Sequence, residues 1–189
     1  MPGALPHRVR AMVAGAALGL LAPAVGVAQT PAPTAQPPAA KSEDVSSPDA
    51  ILGALYDVIS GPAGKARDWN RFRSLFVPGA RLIPTRLRPD GGASATAITP
   101  DDYAATIGPR LEQSGFFERE IHKTVEQFGN VMHAFSTYES RRKAEDPQPF
   151  SRGINSIQLL KDGNRWWIVT VYWDSERPGN MIPPKYLPK

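Results

Sequence analysis

Apolar positions recur at helical spacing through the first half of the domain and alternate through the second. After Ser47-Pro48-Asp49, the residues Ile51, Leu52, Leu55, Val58 and Ile59 share one helical face. Ser47 offers a hydroxyl N-cap, Pro48 suits the first helical position, and Asp49 complements the helix dipole. Gly61-Pro62 closes this helix. A second helix is predicted from its cap Asp68, with Trp69, Phe72, Leu75 and Phe76 as the apolar stripe and Val77-Pro78-Gly79 as the stop. Strand character starts at Ala80 and is interrupted at Pro84. Pro89-Asp90-Gly91-Gly92 predicts a turn inside a mobile hairpin loop over 87–98. Thr99-Pro100-Asp101-Asp102 opens a third helix, in which Tyr103, Ile107 and Leu111 share a face and Gly108-Pro109 forces a kink.

Four longer strands follow. Residues 117–128 and 131–142 flank Gly129-Asn130, a two-residue hairpin turn. Residues 150–161 and 165–175 flank a second turn placed at Asp162-Gly163. The predicted order is ααββαββββ. Helices grouped before strands imply an α+β fold, with the helices packed on a curved, mostly antiparallel sheet.

The ends of the 189-residue chain read differently. His7, Arg8 and Arg10 precede an uncharged apolar stretch from Ala11 to Val27, which ends in Gly26-Val27-Ala28. That is the pattern of a cleavable signal peptide, residues 1–28. An uncleaved anchor helix is the competing reading. The stretch is near the lower limit for a span, and Pro23 and three glycines interrupt it, so cleavage is favoured. Residues 29–47 are rich in Pro, Ala, Ser and Thr and read as a disordered linker. The domain is placed at 48–176, with a Pro-rich tail at 177–189. The expected location is therefore periplasmic or secreted, with no stable membrane insertion after cleavage.

Composition removes several function classes. There is no cysteine, which excludes disulfides, thiol catalysis, Cys-based metal sites and a lipoprotein anchor. The net charge of +4 falls to +2 when Arg8 and Arg10 leave with the signal. That is too little for a nucleic-acid binder. Arg71, Arg73, Arg81, Arg86 and Arg88 cluster in sequence, but a solvated face explains them better than a phosphate patch.

The element order resembles the NTF2-like superfamily, and the local text resembles its SnoaL-like branch. The segments that carry this are Asp68-Trp69-Asn70-Arg71-Phe72 with Leu75-Phe76, Phe128-Gly129-Asn130, Tyr138-Glu139, Arg152-Gly153-Ile154-Asn155-Ser156 and Arg165-Trp166-Trp167-Ile168. Trp173, Ile182-Pro183 and Tyr186-Leu187 add to it. The resemblance covers about residues 48–187. It implies a cone whose sheet wraps an apolar cavity. Members range from isomerases, cyclases and hydrolases to subunits without chemistry, so fold does not deliver function. Leu82-Ile83-Pro84-Thr85 stands where the steroid-isomerase branch carries a catalytic Asp.

The first hairpin can be read residue by residue. A two-residue turn pairs Phe128 with Val131, Glu126 with His133, Thr124 with Phe135 and His122 with Thr137. Unbroken pairing then sets Glu120 against Glu139 and Glu118 against Arg141, all on the outer face. The inner face receives Ser136 and Tyr138, with Lys123, and no carboxylate. Asn155 joins them from the next strand. The candidate ligand-binding residues are Tyr56, Tyr103, Ser136, Tyr138, Asn155 and Trp173. They suit hydrogen bonding to a bound molecule better than acid–base work. His122 and His133 could hold a metal or pass a proton, but a polar sheet face is the commoner setting, and neither metal nor cofactor is expected.

The favoured reading is non-catalytic binding of a small apolar molecule in the cone, with homodimerisation as a companion. The alternatives are an enzyme of the isomerase, cyclase or dehydratase kind, and an interaction module. The last would use the outer sheet face, where Thr124, Phe128, Val131 and Phe135 cluster near the turn. A buried carboxylate in the cavity would favour the enzyme, and a filled cavity the interaction module.

Overall fold

A computed structural model describes residues 36–189 and Gly3. The predicted signal segment and the start of the predicted linker lie outside the described residues. Among the described residues, no helix is long and apolar enough to cross a membrane.

The order is α1 (Ser42–Val45), α2 (Pro48–Ile59), α3 (Trp69–Ser74), β1 (Phe76–Leu87), β2 (Ala93–Ala95), α4 (Pro100–Thr106), α5 (Gly108–Ser114), β3 (Phe117–Phe128), β4 (Val131–Arg141), β5 (Ser151–Asp162) and β6 (Arg165–Ser175), with a 3-10 turn at Pro184–Tyr186. One six-stranded sheet runs β2-β1-β6-β5-β4-β3. Neighbouring strands are antiparallel except β1 and β6, which are parallel. This is the expected α+β arrangement of helices on a mostly antiparallel sheet.

The caps act as the sequence implied. Ser47 Oγ accepts from Ala50 N, Asp68 from Arg71 N, and Thr99 with Asp102 closes a full capping box. The helices bury Ile51, Leu52, Leu55 and Phe72 against Leu82, Ile157, Leu159 and Ile168 of the sheet. Phe72 is central. It stacks on Tyr103 and tilts against Phe76, with ring centroids 5.4 and 4.8 Å away.

Five expectations need correction. The predicted linker contains α1, because Val45 finds an apolar site and Asp44 an ion partner: Val45 is buried, and both Asp44 oxygens accept from Arg71, at 2.7 and 2.8 Å. The first strand is longer than predicted. It begins at Phe76 directly after α3, and a bulge between Phe76 and Arg81 absorbs Pro78-Gly79. Part of the predicted 87–98 loop pairs as β2, with Thr85, Arg86 and Leu87 opposite Ala95, Ser94 and Ala93. The second hairpin turns at Gly163-Asn164, since Asp162 still pairs with Arg165; Gly163 takes the positive φ of 56° that this turn needs. The fifth is in the first hairpin and decides the chemistry of the cavity.

The predicted C-terminal tail also packs. Tyr186 lies edge-on to Phe135 at 5.0 Å, and Thr137 Oγ1 donates to the Tyr186 carbonyl at 2.7 Å. The tail thereby covers part of the outer sheet face. Phe128 and Val131 at the hairpin tip stay exposed.

Candidate functional site

The hairpin register holds near the turn and breaks in the middle. Phe128 pairs with Val131, Glu126 with His133 and His122 with Thr137, as expected. Ile121 has no partner. Beyond this bulge Glu120 faces Tyr138, Arg119 faces Glu139, Glu118 faces Ser140 and Phe117 faces Arg141. One extra residue exchanges the two faces of everything past it. Glu118 and Glu120 therefore share the inner face with Ser136, Tyr138 and Ser140, while Arg119 joins Glu139 on the outer face, 2.6 Å away. The expectation that this hairpin sends no carboxylate inward is overturned by the bulge.

The inner face closes a cavity of about 750 Å³ beneath α2, α4 and α5. Its apolar wall includes Leu55, Phe72, Tyr103, Phe116, Val171 and Trp173. Its polar floor holds Glu118, Tyr138, Ser140, Ser151, Asn155 and Ser175. Among the described residues, Glu118 is the one acidic side chain in this wall. A second hollow of about 690 Å³ lies between α2 and the first residues of β3, and Glu118 borders it too.

Glu118 is set by its surroundings. Ser140 Oγ donates to its Oε2 at 2.8 Å. Burial disfavours the carboxylate and pushes its pKa up to about 7, against the smaller opposing pull of the Ser140 and Asn155 side chains. A carboxyl that titrates near neutrality can both take and give a proton.

Behind it runs a chain of hydrogen bonds with one polarity. Ser136 Oγ donates to Glu120 Oε2 at 2.6 Å, so its oxygen is free to accept from Tyr56 Oη at 2.7 Å. Tyr56 Oη in turn accepts from Asn155 Nδ2 at 3.1 Å. The Glu120 carboxylate, itself paired with Lys123 Nζ at 2.7 Å, is the terminal acceptor that orients every group before it. Burial holds the Tyr56 phenol well above its ordinary range, so it stays protonated and passes on an orientation rather than a charge. Ser136→Ala is expected to cost about 2 kcal/mol, because it strands the Tyr56 hydroxyl without an acceptor. The double variant with Tyr56→Phe should cost less than the sum of the singles in urea unfolding; additive costs would show that the chain is not coupled.

The six expected residues divide in two. Tyr103, Tyr138, Asn155 and Trp173 line the cavity. Ser136 is fully buried behind the floor, and Tyr56 faces the second hollow. Burial raises the Tyr138 phenol to about 12. Tyr138 crosses the strand opposite Gly153, where a Cβ would meet its hydroxyl at 2.5 Å, so Gly153 is what lets the ring lie there. Sequence reading missed Glu118, Ser140 and the arginines Arg86 and Arg110, which also line the cavity. Leu82, Pro84 and Arg86 alternate on one strand face, and Tyr103, Ile107, Arg110 and Leu111 recur at helical spacing, so both arginines could have been placed inward.

His122 and His133 lie on the outer face of the hairpin, opposite Thr137 and Glu126. Among the described residues, no group of three His, Cys, Asp or Glu side chains is placed to hold an ion. His133 Nε2 instead bonds Ser156 Oγ at 2.9 Å. The arginine cluster is also more divided than a solvated face: Arg71 pairs with Asp44 and Asp57, Arg73 with Asp101, and Arg88 with Asp90.

With a cone, an open interior and an acid in the lining of its cavity, the class of protein is an α+β cavity protein. The fold is similar to that of a cystatin-like protein of unknown function from Nostoc punctiforme PCC 73102, with TM-score 0.50, 9% identity, and 67% of this chain and 86% of that one covered. It is also similar to an NTF2-like protein of unknown function from Shewanella baltica OS155, with TM-score 0.44, 13% identity and coverage of 67% and 89%. An NTF2-like superfamily protein from Salmonella enterica serovar Typhimurium LT2 gives 0.44, 17%, 67% and 84%. No family model and no curated protein sequence matches the chain. At these identities the likeness is one of fold.

Proposed function

We propose that the cavity takes up a small apolar molecule and that Glu118 exchanges a proton with it, as in an isomerase, cyclase or dehydratase. The observation that carries this is a single carboxyl group among neutral polar side chains on the chamber floor, beneath an apolar wall, with its pKa at about 7. Tyr138, Ser140 and Asn155 sit beside it as neutral hydrogen-bonding groups. They could orient a carbonyl and share the charge that develops on its oxygen when a neighbouring carbon gives up its proton. Binding without chemistry, the reading favoured by sequence, explains the chamber but not the placement of its acid.

Tetralone, an apolar bicyclic ketone, provides a test. Wild-type protein in deuterated buffer should exchange the α-protons of tetralone, followed by NMR, with a rate that rises as pH passes 7. Equal exchange by wild type and Glu118→Gln would remove the catalytic reading and leave binding alone.

A homodimer through the outer face has partial support. Phe128 and Val131 are exposed at the hairpin tip, but Phe135 and Thr137 are already engaged by the chain's own tail.

A further inference from the structure

Resting on that reading of the cavity, we infer that its ligand is an apolar acid, held with its anionic group at Arg86 and Arg110 and its body against the aromatic wall toward Glu118.

The argument begins with position. On β1, Leu82 is buried in the core, Pro84 is half-buried and Arg86 is exposed, although all three line the cavity. Exposure thus rises along one strand face as the chamber opens, and the charged residue stands at the open end. The helical wall repeats the arrangement. Leu111 and Tyr103 are buried, and Arg110 on the same face is exposed. Two elements distant in sequence therefore each place an arginine on the cavity-facing side of the mouth, where the pattern would otherwise continue with an apolar residue.

Charge supplies the second step. Most arginines of this domain are internally matched: Arg71, Arg73, Arg88, Arg119, Arg141, Arg152 and Arg177 all have carboxylate partners. Among the described residues, neither Arg86 nor Arg110 has a carboxylate within ion-pair distance or a side-chain hydrogen bond to protein. Among the described residues, the mouth carries two cations without a carboxylate partner, and the one acid lining the cavity lies on its floor. Guanidinium groups match carboxylates through paired N–H donors, and low-dielectric walls focus their field on the entrance. A neutral apolar molecule would gain nothing from them. A molecule with its anion at the floor would meet Glu118. An apolar body with one terminal carboxylate fits both ends.

Paired probes distinguish this from the cavity reading itself. Decanoate and decanol, and naphthoate and naphthol, share a body and differ in the anion. Calorimetric titration of the full chain should show each acid binding about tenfold more tightly than its neutral partner at low salt, with the difference shrinking as salt is added. Arg86→Gln with Arg110→Gln should abolish the difference while leaving the neutral probes unchanged. Equal affinities of acid and neutral probe in wild type would overturn the inference and leave the cavity reading intact, as would a preference that survives the double variant. Binding of no probe would remove both.

Discussion

Replacing Arg67 with methionine is expected to lower the unfolding free energy by about 3–5 kcal/mol, although the substitution keeps an apolar stem of similar length. Arg67 is buried, and its guanidinium faces backbone rather than a carboxylate. Nε donates to the Ile59 carbonyl at 3.0 Å, and Nη2 to those of Gly61 at 2.6 Å and Leu111 at 3.3 Å. Nη1 reaches the carbonyls of Pro62 and Lys65. Ile59 ends α2 and Leu111 lies in the last turn of α5, so one cation closes the carbonyl ends of two helices. Methionine offers no donor: the Ile59 and Leu111 carbonyls would each lose the guanidinium at about 1–3 kcal/mol, while those of Gly61 and Pro62 keep the amides of Phe116 and Lys65. Lysine keeps the charge but not the planar fork, and should recover less than half of the loss. Urea unfolding is the measurement: the midpoint should fall with the slope unchanged. A loss below about 1 kcal/mol for Arg67→Met would show that water serves those carbonyls equally well.

Nothing in the sequence pointed to Arg67. It precedes the cap Asp68 in a polar loop, and only the fold brings Ile59, Gly61 and Leu111 around it. The elements were legible because their signals are local. Ser47-Pro48, Thr99-Pro100 and Gly129-Asn130 act within three or four residues of themselves, and each acts in the structure as read. The inner face of β4 was legible for the same reason, since a turn of known length sets the register beside it. That is why Ser136 and Tyr138 were placed inward correctly, and both are buried. The register then had to be carried ten residues along a strand, and one unpaired Ile121 reversed it. No composition signal marks that bulge. Ile121 is an ordinary strand residue, and what favours the shift is the exchange that follows it. Unbroken pairing would set Glu120 against Glu139. The bulge gives Glu120 the Ser136 hydroxyl and Lys123, and gives Glu139 the guanidinium groups of Arg119 and Arg141. The placement of α1 was missed in a comparable way. Its signal is not in its own composition but in Arg71, whose bidentate grip on Asp44 closes only after α3 has docked.

Glu118→Gln should separate stability from function, and the sign of its effect depends on pH. A glutamate in an unfolded chain titrates near 4.3, whereas Glu118 in the folded protein titrates at about 7. Below about pH 4 both states hold the proton, and the residue imposes no penalty. Between those values the unfolded chain has lost its proton and the folded one has kept it, so stability declines as pH rises. Above 7 both are ionised, and the folded state carries the full cost of a charge in the cavity, about 4 kcal/mol at most and less where cavity water screens it. Glutamine has the same shape, and its carbonyl can still accept from Ser140 Oγ, but it never ionises. The variant should therefore match wild type near pH 4 and exceed it by about 1–3 kcal/mol at pH 8, measured by urea unfolding at both values. The same substitution should slow tetralone exchange by about 100-fold or more, the usual contribution of a positioned base. A protein made more stable and less active by removing one charge shows that the charge is held in the cavity for its chemistry. Equal stability at pH 8, or a loss there, would mean that Glu118 is solvated as a surface carboxylate is, and its proton would then be of no use to a bound molecule.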